Sequence, residues 1–195
     1  MTMTTASADA PRTGLPRAAA EVACAVLVFG VLVFGALAPS RAAAQEASRP
    51  TMTIAGAQAL VAGCQAWAAE NDLAFAVAVY DEGANLLAYG RMDGVLVGMG
   101  DVAMWKGEAA ARSGLATSFH AVLTRNGGAS VAAAPGIAGV QGGVPVLSAE
   151  GAVMGAAGAS GAAPAQDEAC IRAGIAAAGY GAPAQTDEPT AEAAE

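Results

Sequence analysis

The feature that most limits what this chain folds into lies at its start. Arg12 and Arg17 precede an apolar run from Val22 to Ala38, after which come Pro39, Ser40, Arg41 and then Ala42-Ala43-Ala44. Basic residues, an apolar segment and small residues before a cut are the order of a secretory signal peptide. Ala42 and Ala44 stand three and one residues ahead of a cut before Gln45, where a signal peptidase requires small side chains. Residues 1–44 therefore read as a leader and Gln45 as the mature start. The competing reading is an uncleaved membrane anchor, because the 17 residues of the run reach the lower limit of a spanning helix. Cys24 opens the apolar run rather than closing it, which argues against lipoprotein cleavage, and no Arg-Arg pair marks a twin-arginine route.

Removing the leader leaves roughly 150 residues, the commonest size for one globular domain. Of the whole chain 55% is hydrophobic but 5% is aromatic, so the core has to be built from closely packed Ala and Val. The formal charge of −8 becomes −9 once Arg12, Arg17 and Arg41 depart with Asp9 and Glu21. No Lys/Arg cluster appears, which excludes DNA and RNA as partners on electrostatic grounds. Cys64 and Cys170 remain, each in an apolar helical pattern. An exported location permits a bridge between them, although two buried thiols are the favoured reading. The absence of CxxC and CxxCH excludes a zinc ribbon and covalent attachment of a c-type haem.

Ile54, Ala57, Val61, Cys64 and Ala68 recur at steps of three and four behind Thr53, which predicts a capped helix ending near Asn71. Phe75 to Tyr80 and Leu86 to Tyr89, separated by Asp81-Glu82-Gly83-Ala84-Asn85, predict a β-hairpin. A helix from Asp101 to Arg112 with Asp101 as cap follows, then a short one from Thr117 to Leu123 and a break at Asn126-Gly127-Gly128. Val144 to Leu147 and Ala152 to Ala157 predict a second hairpin, and Asp167 to Ala178 a closing helix. Hairpins alternating with helices indicate an α+β domain over residues 45–180, an antiparallel sheet flanked by helices. The tail 181–195 carries Asp187, Glu188, Glu192 and Glu195 with no basic residue, and reads as disordered.

Five strings stand in order along this domain. They are Tyr80-Asp81-Glu82-Gly83 with Arg91-Met92-Asp93-Gly94, then Ala103-Met104-Trp105-Lys106, Gly142-Gly143-Val144-Pro145-Val146, Gly155 to Gly161, and Gln166-Asp167-Glu168. The set resembles the GlcG/HbpS family over about residues 51–180. The resemblance implies a profilin-like fold, a homo-oligomer and non-covalent haem binding, with some members exported and proposed to sense redox state or haem. Gly107 stands where the family usually has Ala, and Glu82-Gly83-Ala84 replaces its double glycine, so pocket details do not carry across.

The candidate ligand-binding residues are Arg91, Asp93, Lys106, Gly142, Gly143 and Pro145. An arginine where the chain leaves the first hairpin is suited to bidentate pairing with a propionate or carboxylate, or to an internal ion pair with Asp93 or Asp81. Lys106 either neutralises an anionic ligand or is solvated and paired with Glu108 or Asp101. Gly142-Gly143-Val144-Pro145 either borders a pocket or makes a turn the fold requires. His120, the sole histidine, is the candidate haem iron ligand, with Met92, Met99 and Met104 as softer alternatives. Methionines also fill gaps in cores, and a lone histidine also serves at surfaces and caps. One histidine rules out a zinc site built on two.

Two lookalikes fail on context. Gly98-Met99-Gly100-Asp101-Val102-Ala103 imitates a dinucleotide fingerprint without a strand leading into it, and reads as a helix start. Gly158-Ala159-Ser160-Gly161-Ala162 falls one residue short of a nucleophile elbow. The leading functional expectation is a periplasmic or secreted protein that holds haem, or a similar small anionic ligand, for sensing, storage or delivery. It would be free of the membrane once the leader is cut. Two alternatives stand beside it: an enzyme degrading haem or a small organic acid through Lys106, Asp81 or Asp93, and an accessory subunit of a periplasmic oxidoreductase.

Overall fold

A computed structural model describes residues 49–185. The leader 1–44 and residues 186–195 of the acidic tail lie outside the described residues. The elements run α1 (Ile54–Glu70), β1 (Ala76–Asp81), β2 (Leu86–Arg91), α2 (Gly98–Ser113), α3 (Thr117–Ala132), β3 (Gly143–Leu147), β4 (Val153–Ser160) and α4 (Pro164–Ala177). The four strands form an antiparallel sheet in the order β2-β1-β4-β3. This is the α+β architecture the sequence predicts.

Strand alternation explains the layers. Phe75, Val77 and Val79 with Ala157 and Ala159 turn to one face, where they meet Leu60 and Cys64 of α1 and Cys170, Ile171 and Ile175 of α4. Ala78, Tyr80 and Ala156 turn to the other, against Ala110 and Ala111 of α2. Two faces are thus covered, which is why central β1 and β4 are buried almost end to end. Each large aliphatic side chain on the first face contributes about 1.5–3 kcal/mol through burial. The second face is nearly all alanine, so α2 comes in very close. A Cβ at Gly158 would run into the backbone of Ala103 and Gly107, and one at Gly107 would stand 3.0 Å from the Gly158 nitrogen. That contact accounts for glycine at position 107.

Several element boundaries differ from the expectation. Helix α2 begins at Gly98, so Asp101 lies in its first turn and is not its cap; its charge there faces the positive end of the helix. Helix α3 continues through Asn126 and Gly127 to Ala132, kinking at Gly128 with φ 67°. Strand β4 extends to Ser160 because β1 pairs with it along its whole length. Helix α4 starts at Pro164, where proline's fixed φ suits a first turn, and Gln166 accepts from the Ala163 N–H at 3.2 Å. Pro145 sits buried opposite Ala156 on edge strand β3, where no second neighbour needs its missing N–H.

Cys64 and Cys170 form a disulfide joining α1 to α4, with Cα atoms 4.8 Å apart, which corrects the reading of two buried thiols. The helices approach closely here because Gly174 faces the α1 backbone at Leu60 and Cys64. Past α4, Gly181 pairs with Leu147, and Arg172 donates to the Pro183 carbonyl at 2.7 Å.

Candidate functional site

Lys106 is 1% exposed. Its Nζ donates to Asp167 Oδ2 at 2.6 Å and to the Ala159 carbonyl at 3.2 Å. It is therefore neither solvated nor paired with Glu108 or Asp101. Asp167 belongs to the first turn of α4, and its other oxygen accepts from the N–H groups of Gly161 and Ala162, both at 3.1 Å. Burial pushes the Asp167 carboxyl up, while Lys106 and these N–H donors pull it back. The pair ties α2, β4 and α4 together beneath the sheet end.

Gly142 and Gly143 close over that pair. Gly142 adopts φ 128°, and a Cβ there would stand 2.8 Å from Asp167 Cβ and 2.9 Å from Lys106 Nζ. The Gly143 N–H donates to Thr117 Oγ1 at 2.8 Å. The structure thus brings together Lys106, Gly142 and Gly143, adding Asp167 and Thr117, and fills the space among them with its own atoms. Asp167 stood within Gln166-Asp167-Glu168 but had no role assigned from sequence.

Arg91 and Asp93 sit elsewhere, exposed at the far edge of the sheet where Arg91 is opposite Ala76. Neither expected ion pair of Arg91 is found among the described residues. Asp81 lies at the opposite end of β1, where Oδ1 accepts from the N–H of Gly83 at 2.9 Å and of Asn85 at 2.8 Å. Burial is the largest single influence and raises the Asp81 carboxyl, but the hydrogen bonds from Asn85 and Gly83 together outweigh it and hold the group below its ordinary value. Lys106, Asp81 and Asp93 do not converge into an acid/base site.

His120 is completely buried on α3. Its Nδ1 accepts from the Ala138 N–H at 3.3 Å, and Nε2 has no hydrogen-bond partner. Burial holds its pKa below the ordinary value, so the ring is neutral, and with Nδ1 accepting, the proton belongs on Nε2. In this geometry Nε2 offers a metal no lone pair. Among the methionines, Met92 Sδ accepts from the Phe75 N–H at 3.4 Å, Met99 Sδ accepts from Ser160 Oγ at 3.4 Å, and Met104 packs against the alanine-rich cluster on the α2 face of the sheet. No group of three or more His, Cys, Asp or Glu side chains suited to a metal occurs among the described residues.

An open cleft lies on the outer side of α2. It has a volume of about 560 Å³ and is lined by Glu108, Arg112, Ser113, Pro135, Gly136 and Ile137. Arg112 Nε and a terminal nitrogen bind Glu108 Oε1 at 2.8 and 2.7 Å. A recess of about 100 Å³ adjoins it, bounded by Trp105 and Ala109. Behind Glu108, Tyr80 has its phenol pushed up to about 12 by burial and by that carboxylate. Arg112 and the 135–137 segment were not singled out from sequence, because separate stretches of chain meet here.

A family model described as haem degrading protein HbpS-like matches residues 52–176. Among solved structures, Klebsiella pneumoniae protein ORFY is similar with a TM-score of 0.63 and 27% identity, covering 69% of this chain and 95% of that one. A double mutant of Streptomyces reticuli HbpS has a TM-score of 0.62 and 28% identity, covering 71% and 95%. PduOC in complex with heme has a TM-score of 0.61 over 67% and 97%; at 20% identity it speaks for the fold alone. No curated protein matches the chain.

Proposed function

The chain belongs to the HbpS-like family of haem degrading proteins, and from that premise we propose that it is an exported protein that binds haem non-covalently for sensing, storage or delivery. The observation that carries this reading is the family match across residues 52–176, nearly the whole folded domain. Export is supported by the order of charge, apolar run and small residues in 1–44 and by the Cys64–Cys170 bridge, a bond that persists in oxidising compartments. A homo-oligomer belongs to the same proposal, supported by Leu96 and Val97, which stand 73% and 81% exposed beyond Arg91.

Haem needs an apolar slot with cationic contacts for its propionates. The Lys106 cluster does not fit it, because the pair is 1% and 2% exposed and the glycine loop leaves no gap beside it. The cleft outside α2 fits better: its volume lies within the roughly 300–1,000 Å³ of small-molecule sites, and it offers an arginine and a tryptophan. Bound haem would supply a redox-active iron. The chain's part is to grip the propionates, cover a ring face and keep the frame rigid, and Arg91 stays available as a further cation at the sheet edge.

Titrating haem into the purified protein tests the reading. A Soret shift that saturates at a fixed stoichiometry is expected, and a spectrum equal to that of free haem would sink it. Sequencing the N-terminus of the same material after cell fractionation, with Gln45 expected first, tests export. The family description also favours a second reading, degradation of bound haem. Product formation from haem and a reductant distinguishes it from binding alone.

A further inference from the structure

We propose that the cleft between α2 and the Pro135–Ile137 segment is the site for a flat, carboxylate-bearing ligand, with Arg112 gripping a carboxylate and Trp105 offering the flat face. This rests on the haem reading and deepens it by assigning the residues.

Three observations carry the assignment. First, Arg112 is oriented but not saturated. Two of its nitrogens bind a single oxygen, Glu108 Oε1. A guanidinium has five N–H donors, so donors remain free on a side chain that is 57% exposed. An arginine held in plane by one carboxylate is prepared to take a second in bidentate fashion, at reduced entropic cost.

Second, Trp105 is 44% exposed beside this cation. It stands one residue before buried Lys106 and so faces outward while Lys106 faces the sheet. An indole left open to water next to a guanidinium with unused donors suits a flat ligand that carries a carboxylate.

Third, the opposite wall is fixed. Gly136 lies against Arg112 with φ 80°, a left-handed conformation that places the chain close to the side chain. Ile137 N–H donates to the Ala134 carbonyl at 3.2 Å, and Ala138 N–H donates to His120 Nδ1 at 3.3 Å. The buried histidine thereby holds the wall of the cleft, and a wall already in place lowers the cost of ordering on binding.

The test is a Soret titration of the full-length chain with haem and with its dimethyl ester, comparing wild type, Arg112→Ala, Arg112→Lys, Trp105→Ala and Arg91→Ala. A thermal melt of each variant confirms folding. Arg112→Ala is expected to weaken haem binding about tenfold or more, with partial recovery in Arg112→Lys. Trp105→Ala is expected to weaken it several-fold. The ester should bind the wild type as poorly as haem binds Arg112→Ala, and esterification should cost that variant nothing further. Wild-type binding that survives Arg112→Ala and Trp105→Ala, or that only Arg91→Ala weakens, overturns the assignment while leaving the haem reading intact. No Soret shift for wild type overturns both.

Discussion

Helix α2 carries two ion pairs of similar chemistry and opposite circumstance. Lys106 and Asp167 are 1% and 2% exposed, 2.6 Å apart, with further hydrogen bonds on both members. Arg112 and Glu108, on another face of the same helix, are 57% and 42% exposed. The buried pair is long-range and joins three elements; the open pair is a helical i,i+4 contact at a cleft. Desolvated charges are costly to leave single, whereas an exposed pair contributes little to stability and keeps donors to spare. The difference teaches that Lys106 frames the domain and Arg112 faces what the domain meets.

Breaking the buried pair should have the largest effect. Lys106→Ala leaves Asp167 buried without its partner, and chemical denaturation is expected to show a loss of about 3–5 kcal/mol. Lys106→Met combined with Asp167→Asn, which keeps an acceptor for Gly161 and Ala162, should recover part of that loss. Removing the nearby covalent tie comes next: Cys64→Ala with Cys170→Ala, or reduction of the bridge, should cost about 2–5 kcal/mol by the same measurement.

A smaller effect concerns His120. The folded state holds its pKa below the ordinary value, so it binds a proton less readily than the unfolded chain. The stability this contributes is complete above the unfolded value of about 6.5 and is lost as pH falls below it. Thermal melts from pH 7 to 5 should therefore decline more steeply for wild type than for His120→Gln. Equal slopes would place the imidazole in water. The smallest change belongs to the open pair: Arg112→Ala should alter stability by less than about 0.5 kcal/mol. A larger loss would erase the contrast between the two pairs.

Much of the fold was legible because its signals are local. The helical spacing from Ile54 to Ala68 and the two hairpins are all found in place. What stayed hidden depends on pairing across the chain. Lys106 shares a helical face with Ala103, Ala109 and Ala110, all buried, so its spacing already demanded a buried counter-charge. Which carboxylate supplied it could not be read, because Asp167 is 61 positions away. The disulfide escaped for the same reason, its cysteines being separated by 106. The cleft joins α2 to a loop after α3 whose path no motif announces.

The sheet order carries a consequence for the timing of assembly. Strand β1 sits between β2 and β4, yet β4 is the last strand among the described residues, and β3 touches the sheet solely through it. A chain delivered from its N-terminus, by a ribosome or across a membrane, thus makes its first hairpin early but has no central partner for it until residue 160 has appeared. Such non-local pairing delays productive collapse. The sheet is consequently completed late, when β4 arrives, and the last helix then brings Cys170 to Cys64.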